Sequence, residues 1–273
     1  MIEYEIKPKE NLSLGFTELW QYRELFYFFT WRDIKVKYKQ TVLGFAWAIL
    51  QPLLMMLVFS VFFGKALNVP SDNLPYPVFV FSGLLLWNIF SSGLTAAGNS
   101  MVSNAGIIKK IYFPRLIIPI ASVLVALFDF FIAFIIFIAI IIYYQTPINI
   151  TRAITLMPIG IIIAVVSTFG IGSLMAALNI KYRDFRYIIP FMVQVLLFIT
   201  PVIYPVSILT HQWMKYMVAL NPMYAAIELF RSGIINKPLE MNLIMISVLS
   251  SILFFVSGVF YFRKTEAYFA DLA

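Results

Sequence analysis

The stretch Leu116–Tyr143, LIIPIASVLVALFDFFIAFIIFIAIIIY, decides the fold class. It is long enough to cross a bilayer core as a helix, which takes about 20 apolar residues, and Asp129 is its one charged side chain. Working outward, further apolar runs occupy Val42–Phe63, Val78–Ala97, Ile154–Leu178, Tyr187–Tyr204 and Met241–Phe262. They are continuously apolar instead of alternating, so each predicts a helix that satisfies its own backbone in lipid and not a barrel strand. Of all 273 residues 62% are hydrophobic and 12% charged, with a mean hydropathy of +0.89, far outside the soluble globular range. The expectation is an all-α membrane protein with six transmembrane helices, residues 1–41 forming a cytoplasmic N-terminal segment and residues 42–273 the membrane domain.

Lys and Arg total 20 against 13 Asp and Glu, but they lie in short clusters between apolar runs, where they set topology and do not bind nucleic acid. Lys7, Lys9, Arg23, Arg32, Lys35, Lys37 and Lys39 precede the first span. Lys109, Lys110 and Arg115 separate the second from the third, Lys181, Arg183 and Arg186 the fourth from the fifth, and Arg263 and Lys264 follow the last. Only Lys65, Arg152, Lys215, Arg231 and Lys237 fall on the other side. The positive-inside bias places both termini in the cytoplasm. The opening residues lack a basic n-region, short apolar core and cleavage site, so the first span is expected to be retained. Cysteine is absent, which excludes disulfides, thiolate metal sites and cysteine nucleophiles.

Two segments are too polar or too short to span. In Glu18–Gln40, Trp20, Phe26, Phe29 and Trp31 mix with charge, and Arg32, Lys35 and Lys39 share a helical face. This predicts an amphipathic helix along the cytoplasmic interface, a simple anchor or a surface that attracts an anionic lipid-linked headgroup. Between Tyr204 and Lys237 the chain is apolar, yet Asn221-Pro222 divides it into halves too short to cross. Asn221 as N-cap and Pro222 in the first turn start the second half. A re-entrant helical hairpin over residues 206–236, with Glu228 and Arg231 in its second arm, is the expected form, two helices flat on the outer leaflet the alternative.

Chemistry-bearing residues are sparse. Asp129 faces no intramembrane cation in the sequence, so a hydrogen bond to a Ser, Thr or Asn of a neighbouring helix is expected and proton coupling is disfavoured. Gly172 and Ala176, and Ser173 and Ala177, show small-xxx-small spacing, which permits close helix approach within or between subunits. The single histidine, His211, rules out a two-His metal motif. The Gly-Lys pair of FFGKAL, Phe62–Leu67, lacks the rest of a phosphate-binding loop. No metal site, bound cofactor or catalytic residue is expected, and the chain cannot hydrolyse ATP by itself.

In order along the chain, TVLGFAWAILQPLLMMLVF, IIKKIYFPRLIIPIAS, LNIKYRDFRYIIPF, TPVIYPVSIL, ALNPMYAAIELFR and YFRKTEAYFADL resemble the permease subunits of bacterial ABC transporters that export lipid-linked polysaccharides such as O-antigen, capsule and teichoic acid. The resemblance implies an inner-membrane homodimer engaging two copies of a cytoplasmic ATPase that binds ATP and Mg. A coupling helix at 104–115 would contact that ATPase through Lys109, Lys110, Tyr112, Phe113 and Arg115. It also implies a signature loop at Tyr182, Arg183, Asp184 and Arg186 and a periplasmic gate at the hairpin. In that loop Asp184 is expected to pair a nearby cation, leaving Arg183 and Arg186 for the ATPase or the substrate pyrophosphate. Spans one and five resemble channel-lining helices, which makes Phe45, Trp47, Phe59, Phe191, Phe198 and Tyr204 candidates for glycan contact. The function expected is export of undecaprenyl-pyrophosphate-linked polysaccharide. Alternatives are an exporter of a drug or small lipid with the same architecture, and a membrane-embedded polyprenyl-lipid transferase.

Overall fold

The structure, a computed structural model, describes residues 16–39, 44–235, 237–266 and 269; Lys7, Lys9 and the start of the first predicted span lie outside them. Every regular element among the described residues is helical. A short α1 (Phe16–Gln21) leads into α2 (Arg23–Lys39). Next, α3 (Ala46–Phe59) runs directly into a π-helical segment, Ser60–Ala66. The bundle continues with α4 (Tyr76–Ser103), the single turn α5 (Ala105–Ile108), α6 (Ile117–Tyr143) and α7 (Ile150–Lys181). It ends with α8 (Phe185–Ile199), the pair α9 (Gln212–Ala219) and α10 (Pro222–Ile234), and α11 (Met241–Thr265).

Among the described residues five helices are long and apolar enough to cross a membrane: α3 with its π extension, α4, α6, α7 and α11. The fifth predicted span, Tyr187–Tyr204, is shorter than expected, because α8 stops at Ile199 after 15 residues. Thr200 precedes Pro201, and the proline ring disfavours helical backbone in the residue before it; Thr200 is accordingly extended, with ψ 138. At 1.5 Å per residue α8 covers about 22 Å, less than the apolar core of a bilayer.

Helix α4 is the centre of the bundle. In its most apolar stretch 78% of the residues are buried, against 17% for α3, so α3 turns most of its surface outward. Helices α6 and α7 pack on α4, and α10 and α11 on α7. The predicted small-residue face is used within the chain. A Cβ on Gly172 would sit 2.8 Å from the Ala97 Cβ of α4, and one on Gly258 of α11 would meet the Gly170 carbonyl oxygen at 2.0 Å. Between the same helices, the Ser167 and Ser251 hydroxyls lie 2.8 Å apart, and the Asn179 amide donates to Gly98 O at 2.8 Å. Bonds of this kind contribute on average ~0.6 kcal/mol each in membranes, so close packing supplies most of the cohesion.

Helix α2 packs along the first half of α6. Phe29 meets Phe113 with ring centroids 5.5 Å apart, while Lys37 and Tyr38 both donate to the Asp129 carboxylate. The expectation that Asp129 bonds to a Ser, Thr or Asn is therefore corrected. Helix α2 runs along α6, which brings the Lys37 side chain to Asp129. Burial, more than the hydrogen bond to Asp129, pushes the Tyr38 phenol far above its ordinary value, so it stays protonated.

Candidate functional site

Where α8 stops, the backbone of Pro201–Pro205 runs without helix through buried surroundings, and its carbonyls need partners. Arg231 of α10, itself 3% exposed, supplies them: its guanidinium donates to Pro201 O and Val202 O at 2.7 Å each and to Phe79 O at 3.0 Å, and it stacks 3.6 Å from the Phe79 ring centre. The Tyr76 hydroxyl takes Ile203 O at 2.8 Å. Nearby, the Lys237 ammonium bridges Glu228 at 2.5 Å and Asp72 at 2.8 Å. Burial by itself would lower the Lys237 pKa, but the two carboxylates outweigh it and hold the ammonium above its ordinary value. Asn221 caps α10 by accepting from Met223 N at 3.0 Å, as expected, and its amide donates to Thr200 at the end of α8. Every residue of α10 is buried. The paired-helix end of the molecule is a closed assembly in which the Arg231, Asn221 and Lys237 side chains are all partnered, while the buried Ser232 hydroxyl is not.

Beside it lies a groove of ≈ 1090 Å³. One wall is α3, through Trp47, Gln51 and Met55; the other is α8, through Val193 and Leu197. Its floor is a polar row of α4: Asn88, Ser91, Ser92, Thr95, Asn99 and Ser103. The rim at the α2 end carries Arg32, Asp33, Lys37 and Asp129. The row was legible in the sequence as polar residues recurring at three- and four-residue steps, one face of a helix, but the overall hydropathy of the span conceals it. A second, smaller cleft of ≈ 380 Å³ on α2 is lined by Phe28, Trp31, Arg32, Lys35, Val36 and Lys39.

Of the aromatic candidates, Trp47 lines the groove. Phe45 stacks on Tyr38 at 4.3 Å, and Phe191 and Phe198 project outward from α8. Phe59 is turned into the core, and Tyr204 is half-buried, donating to Ile199 O at 2.9 Å. The expected headgroup cations divide. Lys35 and Lys39 are exposed, whereas Arg32 is committed to Asp33 and, at 2.8 Å, to the Asn104 side chain at the end of α4.

The segment 104–115 holds only one helical turn, α5, and not the full helix expected. Pro114 opposes helix at Phe113, and Phe113 is buried against α2. The Arg115 backbone donates to the Glu266 carboxylate at 2.8 Å beyond α11. Lys109, Lys110, Ile111 and Tyr112 remain at the exposed tip. Between α7 and α8 and in the first turn of α8, Tyr182, Arg183, Asp184 and Arg186 are all exposed. No ion pair of Asp184 occurs among the described residues, and its carbonyl accepts from Tyr187 N at 3.0 Å.

Residues 24–235, from α2 to the end of α10, match the ABC-2 type transporter family. The chain belongs to that family. The ABC-2 match thus takes in both the groove and the paired-helix end. Relatives correspond nearly end to end. The O-antigen export system permease protein RfbA of Klebsiella pneumoniae is 29% identical over 269 residues, 98% of this chain and 99% of the relative. RfbA of Myxococcus xanthus is 29% identical over 257 residues, 91% and 96% of the two chains. The polysialic acid transport protein KpsM of Escherichia coli is 23% identical over 240 residues, 86% and 92%.

Proposed function

We propose that this ABC-2 chain is the permease subunit of an ATP-driven exporter that carries an undecaprenyl-pyrophosphate-linked, O-antigen-like polysaccharide from the cytoplasmic to the outer side of a bacterial inner membrane. The observation that carries the reading is the groove: a polar row with a tryptophan opposite, inside an otherwise apolar bundle, suits a hydroxyl-rich cargo that cannot enter lipid. The full-length correspondence to proteins named for O-antigen export and polysialic acid transport supports it.

In this reading the α2 end is cytoplasmic, in keeping with the cations gathered there. Helix α8 with the buried turn to Tyr204 completes a sixth crossing, and α9–α10 form a re-entrant gate. A second copy covers α3 with its π extension and α8, whose outward faces carry Leu57, Phe62, Phe191 and Phe198. A separate ATPase, in two copies, binds ATP and Mg and docks on the tip at Lys109, Lys110 and Tyr112. The exposed Arg183, Asp184 and Arg186 face that partner or the pyrophosphate, and Lys35 and Lys39 collect the headgroup at the α2 cleft.

Deletion of the gene tests the export function. Lipid-linked glycan should accumulate on the cytoplasmic side and clear on re-expression. Unchanged glycan, with full-length polymer still at the surface, would refute polysaccharide export and leave a small-molecule cargo.

A further inference from the structure

The groove floor has a property beyond being polar. On α4 the Ser92 hydroxyl donates to Asn88 O, the Thr95 hydroxyl to Ser91 O at 2.7 Å, and the Asn99 amide to Thr95 O at 2.9 Å. The Ser92 and Thr95 hydroxyl hydrogens are thus used one turn back in their own helix, while Asn99 also accepts from the Asn179 amide of α7 at 3.0 Å. What the hydroxyls turn toward the groove is acceptor lone pairs. At Ser92 and Thr95 no donor is stranded when the groove is empty.

Lipid tails gain nothing from such a row, and a backbone amide or ammonium would meet it only at scattered points. Sugar hydroxyls, which donate from every ring, match it along its length. From Asn88 to Ser103 the row extends about 22 Å at the helical rise, with a polar step at each turn. One hydrogen bond nets ~1 kcal/mol, so each contact is easily exchanged for the next. Trp47, 48% exposed on the facing wall, offers a ring to the apolar faces of sugars.

We infer that the Asn88–Ser103 face of α4 is the track on which the carbohydrate of the cargo slides, held by transient hydroxyl-to-acceptor bonds and read without regard to sugar identity. The inference rests on the proposed export function.

The chain has no cysteine, so single cysteines placed on the row report without background. Ser92→Cys and Thr95→Cys are to be treated with a small water-soluble methanethiosulfonate in broken membranes, from cells making the glycan and from cells blocked in its synthesis. Both positions should react in glycan-free membranes and react several-fold more slowly in glycan-loaded ones. Ala97→Cys, on the side of α4 buried against Gly172, should react in neither. Equal rates at Ser92→Cys and Thr95→Cys in the two membranes, or no reaction in either, would overturn the track. Should one variant fail to accumulate, Asn88→Cys takes its place.

The gene deletion separates the two ideas. Glycan that accumulates on deletion while shielding is absent upholds export and removes the track. Glycan that does not accumulate removes both.

Discussion

The paired-helix end and the groove both place polar groups deep in an apolar bundle, and they treat them in opposite ways. At the paired-helix end the carbonyls of Pro201, Val202 and Ile203 in the broken α8 turn are answered by a side chain from another element, Arg231 or Tyr76. In the groove the α4 hydroxyls are answered only by their own helix. The first arrangement ties distant segments together, so its polar groups are structural. The second ties no other element through Ser92 or Thr95, so those oxygens are available to a ligand, while Asn99 accepts from Asn179 of α7 at 3.0 Å. Polarity at depth marks function only where it is not already spent on packing.

The largest expected effect comes from breaking the first arrangement. Arg231→Leu strands the carbonyls of Phe79, Pro201 and Val202, each an unsatisfied buried group at ~1–3 kcal/mol. We expect a loss of ~3–5 kcal/mol, read as a marked fall in the melting temperature of the detergent-solubilised chain. Arg231→Lys should recover only part, because an ammonium cannot fork to several carbonyls. An unchanged melting temperature in Arg231→Leu would dissolve the contrast.

Next in size is Lys237→Met, which leaves Glu228, 6% exposed, without its cation. A loss of ~1–3 kcal/mol is expected for this partly buried tie. Because the folded ammonium titrates above its ordinary value, the tie is fully present below about pH 10.4 and is lost as pH rises through the folded pKa. The difference in melting temperature between wild type and Lys237→Met should therefore stay constant from neutral to mildly alkaline pH and shrink at strongly alkaline pH.

Asp129→Asn tests the border between the regions, where α2 meets the groove rim. Lys37 is 44% exposed and Asp129 14%, so solvent screens the pair and a stability loss of ~1 kcal/mol or less is expected. If α2 is held chiefly by Phe29 and Phe113, proteolysis of intact membranes should find α2 no more accessible in this variant than in wild type.

The smallest effect belongs to the groove. Thr95→Val removes a hydroxyl that bonds only to its own helix and should change stability by less than about 0.5 kcal/mol. A large drop in melting temperature would show that the row is packed like the paired-helix end, and the comparison would fail at its second term.

Hydropathy along the chain determined the helical membrane class and the places of α3, α4, α6, α7 and α11, because about 20 apolar residues in a row are a local and additive signal. The Asn221 cap and the break before Pro222 were equally local. The early end of α8 at Thr200 was written in Pro201, though the apolar run masked it. Tertiary structure alone decided that Lys37 answers Asp129, that Arg231 satisfies the α8 turn, that Phe59 and Phe113 are core residues, and that the polar side of α4 opens on a groove. Each of these depends on the depth and rotation of one helix against another. Those are set by interlocking side chains from segments far apart in sequence, and no one-dimensional pattern carries them.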